Sequence, residues 1–176
     1  MEKDGNKAIA DYEKSHSATA IEGSDILFFL IDIDHFKKVN DVYGHHVGDQ
    51  ILIEVAKRLS DVAREDDYVV RWGGEEFLLV VRHSSRERSA TMAASIQNSI
   101  SSVPVPIENG NPIHVTCTLG SVPFPLCPAF PNQWSWLETI TLADKALYTG
   151  KAVGRDVWVD VSVANTYKPP IPSSCE

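Results

Sequence analysis

The chain has too few cysteines, wrongly spaced, for a disulfide framework or a zinc site. Cys117, Cys127 and Cys175 are odd in number, and no pair stands in a Cys-x-x-Cys spacing. A reducing cytoplasm is therefore the expected compartment. Long apolar runs are also missing. The longest, Ile26–Ile31, falls far short of the roughly 20 residues that cross a bilayer, and the polar N-terminus carries no signal-peptide pattern. Positive charge is scarce as well: 16 Lys and Arg stand against 24 Asp and Glu, a formal net charge of −8. Nucleic-acid affinity rests largely on neutralising phosphates, so a nucleic-acid polymer is excluded as the main partner. A small nucleotide is not, because a divalent metal and a few local cations hold a triphosphate on an acidic protein. No internal repeat is visible.

What is present is enough for one domain with a single core: 176 residues, 43% hydrophobic and 23% charged. Ile26–Ile31 is aromatic and β-branched and reads as a buried strand, ending abruptly at Asp32-Ile33-Asp34. Phe36, Val39 and Asn40 fit a short helix before Gly44. From Val47, apolar residues at Ile51, Leu52, Val55, Ala56, Leu59 and Val62 recur at helical spacing. Tyr68–Arg71 and Phe77–Val81 flank Gly73-Gly74 and read as a hairpin. A helix carries Ala93, Ile96 and Ile100, Ile113–Val122 has strand character, and Pro123–Pro131 reads as a long loop. A helix with Trp136, Ile140, Ala143 and Leu147 and a strand at Val157–Val159 complete the order βααββαβαβ. The expected fold is α/β (α+β), a central, mostly antiparallel sheet of about five strands covered by helices. Residues 1–162 are assigned to the domain, with 1–24 the end of a helix (Ala8, Ile9, Tyr12) and a polar loop, and 163–176 to a disordered, proline-rich tail.

Asp32 stands where a strand end holds a carboxylate rigidly beside a loop with room for a ligand. Alone it is better read as a solvated terminus. Glu75 and Glu76 follow a Gly-Gly turn that admits a bulky group closely, and they meet Asp32 if the hairpin lies beside the first strand. One or two carboxylates, with water and phosphate oxygens, suffice for Mg²⁺. His35, His45 and His46 lack partner cysteines and are not taken as zinc ligands.

The joint pattern is more specific than any part. The run Asp32-Ile33-Asp34-His35-Phe36-Lys37-Lys38-Val39-Asn40-Asp41, with Tyr43-Gly44-His45, Gly48-Asp49 and Leu52, precedes Arg71-Trp72-Gly73-Gly74-Glu75-Glu76-Phe77. Thr116, Gly120, Ala143-Asp144, Ala146-Leu147-Tyr148, Lys151 and Gly154-Arg155 follow in order. Over about Ile26 to Val159 the chain resembles the diguanylate cyclase (GGDEF) family.

That resemblance implies a palm like that of adenylyl cyclases and polymerases. It implies condensation of two GTP into cyclic di-GMP and two pyrophosphates by a homodimer. Asp32, the Ile33 carbonyl and Glu75 match positions binding two Mg²⁺ or Mn²⁺ ions. Gly73 and Gly74 pass close to the nucleotide, and Glu75 with Glu76 completes the catalytic hairpin. Asn40 and Asp49 match guanine-reading positions, Asp49 being equally a favourable residue near a helix N-terminus. Phe36 is assigned to the pocket wall and His45 to a turn or pocket. Lys37, Lys151 and Arg155 match phosphate-binding positions, the last two standing four apart. Arg64-Glu65-Asp66-Asp67 matches an Arg-x-x-Asp site where cyclic di-GMP inhibits, though a charged helix-to-strand loop has the same composition. The second arginine such sites recruit is left open among Arg82, Arg86 and Arg88.

The family's opening Asp-x-Leu-Thr-Gly-Leu-x-Asn-Arg segment is missing, so an upstream sensor or receiver domain is expected in a longer protein. The rival reading is a cyclic di-GMP receptor with little turnover. A purely structural dimerisation module explains none of the polar pattern.

Overall fold

The computed structural model describes residues 25–108, 110–163 and 167. The expected helix and loop in 1–24 lie outside these residues, as does all of the expected tail except Val163 and Tyr167. Both of those pack onto the domain. Val163 joins an apolar cluster, and Tyr167 lies against the rings of Phe130 and Trp134 and accepts a hydrogen bond from Gln133 Nε2 at 2.7 Å.

The elements are β1 (Asp25–Ile33), α1 (Phe36–Tyr43), α2 (His45–Val62), β2 (Tyr68–Gly73), β3 (Glu76–Ser84), a 3₁₀ turn (Arg86–Arg88), α3 (Ser89–Ser101), β4 (Cys117–Phe124), α4 (Trp136–Val153) and β5 (Trp158–Asp160). The five strands form one sheet in the order β2-β3-β1-β4-β5. All pairings are antiparallel except β4 with β5.

β1 is the middle strand, which explains its unbroken apolar run: both faces are covered. Leu27, Phe29 and Ile31 point into a cluster with Ile51, Val55 and Leu59 of α2 and Ala93 and Ile96 of α3. Ile26, Phe28 and Leu30 point the other way, against Ile140, Ala143 and Leu147 of α4. Full burial of each such side chain contributes about 1.5–3 kcal/mol, so β1 anchors whatever its end carries.

Two segments differ from the expectation. β4 starts at Cys117, four residues later than Ile113, and runs through Pro123 to Phe124. Ile113 makes only an isolated bridge to Val105. Pro123 is tolerated because of the side it faces. Leu119 N–H and the Ser121 carbonyl both bond toward the β5 segment, at Val157 and Val161. By alternation Pro123 faces that same side, beyond the end of β5, where no N–H is needed.

α4 begins at a capping box. Ser135 Oγ accepts from the Glu138 N–H at 3.2 Å, and the Glu138 carboxylate accepts from the Ser135 N–H at 2.8 Å. The helix then lies directly on β4 at Gly120, where a Cβ would stand 2.0 Å from the Ala143 carbonyl oxygen. That close approach sets where the last turn of α4 arrives.

Candidate active site

The C-terminal end of β1 and the β2–β3 hairpin meet, since Asp32 stands directly opposite Glu76 in the β1–β3 register. The Ile33 N–H also donates to the Glu75 carbonyl at 3.4 Å. At the hairpin tip Gly74 has φ 22°, and a Cβ there would meet nothing within 4 Å. Arg71 braces the tip: its Nε and Nη2 donate to the Gly74 carbonyl at 3.0 and 2.7 Å.

From the other side of the sheet the last turn of α4 delivers Lys151. Its Nζ donates to Asp32 Oδ2 at 2.7 Å and lies 3.8 Å from Glu76 Oε1. Asp32 is only 6% exposed. Burial raises its carboxyl above the ordinary value, the Lys151 hydrogen bond and charge oppose this in part, and Glu75 and Asp34 add to it. Glu76 is raised too, chiefly by burial, with Lys151 opposing and Asp32 and Asp144 reinforcing. The single ammonium therefore does not compensate the acidic group.

A pocket of about 390 Å³ opens here. Of the expected site residues, Asp32, Ile33, Glu75, Phe36, Lys37, Lys151 and Arg155 line it together. The side chains of Lys37 and Arg155 make no hydrogen bond or ion pair with any described residue, so their charges are available. His35, Lys38 and Asp41 line it as well, which residue type alone did not indicate.

Asn40, His45, Asp49, Gly73, Gly74 and Glu76 do not line this pocket. Asn40 lies beside it, near Phe36 and Gly48. A Cβ on Gly48 would stand 2.0 Å from Asn40 Oδ1 and 3.2 Å from Phe36 Cζ, so the absent side chain is what admits both. Asn40 Oδ1 is buried with no hydrogen-bond partner among the described residues, a group whose desolvation a ligand donor would offset. Asp49 and His45 are exposed in the first turns of α2.

No group of three or more metal-ligating side chains is preassembled among the described residues. The donor chemistry nonetheless suits a hard divalent cation: three carboxylates, Asp32, Asp41 and Glu75, line the pocket, and among its lining residues there is no cysteine and one histidine, His35. Cys117 supplies no nucleophile, because burial pushes its thiol far up.

Arg64 and Asp67 close a turn at the other end of β2, with the Asp67 N–H donating to the Arg64 carbonyl at 3.0 Å. The Asp67 carboxylate accepts the N–H groups of Arg64 and Arg82, each at 2.9 Å. Of the three arginines left open, Arg82 is thus adjacent to the turn, its guanidinium donating to Tyr68 Oη at 3.1 Å. Arg86 is committed elsewhere, holding Asp25 at 2.8 and 3.0 Å and the Pro125 carbonyl at 3.1 Å.

Asp34 is the second carboxylate of the Asp32–Asp41 run. It is 5% exposed, does not line the pocket, and has both oxygens occupied by protein donors.

Among known proteins, residues 6–157 match the family model described as diguanylate cyclase, GGDEF domain. YhcK of Bacillus subtilis (strain 168), named as uncharacterized, is 39% identical over 126 residues, 72% of this chain and 34% of its own length. Diguanylate cyclase DgcP of Pseudomonas aeruginosa is 34% identical over 135 residues, 77% of this chain and 19% of that protein. The chain therefore spans about a third or less of these relatives. The GGDEF domain of DgcB from Caulobacter crescentus, solved in complex with c-di-GMP, superposes with a TM-score of 0.73 at 28% identity. That match covers 90% of this chain and 86% of the other.

Proposed function

Because the chain belongs to the GGDEF domain family of diguanylate cyclases, we propose that it condenses two GTP into cyclic di-GMP and two pyrophosphates, as a homodimer in which each chain holds one GTP. The observation that carries this reading is one pocket lined by Asp32, Glu75, Lys151 and the unpartnered Lys37 and Arg155. Acidic and basic groups so divided suit a metal-bound triphosphate.

Asp32, the Ile33 carbonyl and Glu75 would hold Mg²⁺ or Mn²⁺, which lowers the pKa of an attacking hydroxyl and offsets charge on the transferring phosphoryl group. Lys37, Lys151 and Arg155 bind the phosphate oxygens and orient the α-phosphate toward the partner chain. Asp49 accepts from guanine N1–H and N2–H₂, donors that adenine lacks in that arrangement, and Asn40 adds a second contact to the base. The 3′-hydroxyl of one nucleotide attacks the α-phosphate of the other, pyrophosphate leaves, and the reciprocal attack closes the ring. Cyclic di-GMP binds Arg64 and Asp67 and inhibits, Arg82 standing beside them as the second arginine; arginine pairs with guanine O6 and N7 through two hydrogen bonds.

Incubation with GTP and Mg²⁺ at high protein concentration, where chains pair, tests the reading. One cyclic di-GMP should appear for every two pyrophosphates. Absence of the cyclic product under those conditions would overturn it.

A further inference from the structure

Asp34 ties together three parts of the chain that are remote in sequence. Its Oδ1 accepts from Thr118 Oγ1 at 2.6 Å, and its Oδ2 accepts from Thr116 Oγ1 at 2.7 Å and from the Asp156 N–H at 3.0 Å. Its own N–H donates to the Thr116 carbonyl at 2.9 Å. The end of β1, the approach to β4 and the turn leaving α4 are thereby held by one carboxylate.

The turn it holds is strained. After Gly154 (φ 138°), Arg155 and Asp156 lie in succession at φ 64° and 50°, a region that side chains adopt at a steric cost, greater for Arg155 than for an Asp. Such a conformation persists only where its surroundings over-determine it. Two contacts do so here: the Arg155 N–H bonds the Gly150 carbonyl at 3.1 Å, and the Asp156 N–H bonds Asp34. The result of the strain is the placement of Arg155, whose side chain reaches the pocket although the helix that carries Lys151 has ended. Asp34 itself does not line the pocket; apart from its charge, which adds to the raising of Asp32, its link to a ligand runs through that turn.

We propose that Asp34 is a positioning residue: it locks the Arg155–Asp156 turn in its left-handed form and so aims the Arg155 guanidinium at the nucleotide phosphates. This rests on the functional reading above in that Arg155 meets a triphosphate. An unpinned turn relaxes toward ordinary φ values and swings Arg155 away, while the strand pairing of β1 with β4 is kept by its own backbone bonds.

A double-mutant cycle on the binding of 3′-deoxy-GTP with Mg²⁺, a ligand that lacks the attacking hydroxyl, tests this by calorimetry. Arg155→Ala should weaken binding about tenfold, the loss of a charge-assisted hydrogen bond. Asp34→Ala should weaken it comparably, and the double variant should bind no worse than either single one within about twofold. Asp34→Asn, which keeps an acceptor for the Asp156 N–H while the Thr118 hydroxyl rotates to accept, should restore most of the affinity.

Additive losses in the double variant, or wild-type affinity in Asp34→Ala, would overturn the proposal. Should Asp34→Ala not fold, Thr116→Val with Thr118→Val removes the hydroxyls that aim the carboxylate. About threefold weakening, absent in the Arg155→Ala background, supports the proposal; no weakening overturns it. Wild-type chain that binds none of the analogue would bring down the functional reading and this inference with it, whereas wild-type binding weakened by Arg155→Ala alone would bring down only this inference.

Discussion

Arg58 and Asp32 are both charged groups taken almost wholly out of water, and the fold treats them in opposite ways. Arg58, 8% exposed, donates to Glu54 at 2.9 Å and to the carbonyls of Ile100 and Val103 at 2.7 and 2.6 Å. Those carbonyls belong to the end of α3 and the residues after it, where the helix dipole is negative. Its partners are a carboxylate one turn away on α2 and two backbone carbonyls, so the charge is compensated within the protein and does structural work, clamping α2 to α3. Asp32, 6% exposed, has one flexible ammonium, and that ammonium is shared with Glu76. A buried charge surrounded by fixed partners holds a fold together. A buried charge left short of partners is disposed toward a ligand that supplies them.

The largest expected effect breaks this contrast on its functional side. Glu75→Gln should lower cyclic di-GMP formation roughly 10²–10³-fold while the melting temperature stays within about 2 °C, measured by product formation and calorimetry. Activity above a tenth of wild type would remove Glu75 from the metal site.

On the structural side, Arg58→Ala should cost about 3 kcal/mol, because it leaves carbonyls and Glu54 without their cation. The readout is a lower urea midpoint at unchanged slope, with kcat of the folded fraction unaltered. A fall of kcat with stability intact would mean that Arg58 belongs to the site.

A smaller effect separates the two charges by sign. Folding raises the Asp32 carboxyl above its unfolded value near 3.8. The stability linked to its proton is therefore fully present below that value and lost as pH rises through the folded one. Asp32→Asn cannot ionise, so without metal its melting temperature should overtake that of wild type by a few degrees as pH rises through this window. A variant less stable than wild type at pH 7 would show that Lys151 compensates Asp32 after all.

The smallest effect is a control away from the pocket. Hydrogen bonds from Ser135 hold the Glu138 carboxyl below its ordinary range, so its contribution is present above the unfolded value and lost as pH falls through the folded one. Ser135→Ala should lower the melting temperature by a few degrees at pH 7 and lessen that acid-side loss without abolishing it, because the backbone N–H of residue 135 still donates to Glu138; the trend is the reverse of that for Asp32.

The order of strands and helices was legible in the sequence because each element carries its own periodicity within a few turns of chain. The limits of β4 were not: its register is set by pairing with β1, and Pro123 is acceptable only because β5 ends before reaching it. Of the site, Asp32, Glu75, Lys151 and Arg155 could be named from the ordered motifs. Asp34 could not be given a role, since its partners Thr116, Thr118 and Asp156 lie 82, 84 and 122 residues away. Nor could Arg86 be set apart from Arg82, because one turns to Asp25 and the other's backbone to Asp67 only once the sheet is assembled.

The sequence by itself determined the family, the unbroken apolar run that marks β1 as a buried strand, and the chemical types gathered at its end. Only the tertiary structure decided how those groups share their charge. Gly120 lets α4 lie directly on β4, and this brings Lys151 to Asp32 while leaving the Arg155 side chain without a partner among the described residues. Residue type states which charges a chain owns; burial and distance determine which are compensated within the fold and which remain for a ligand.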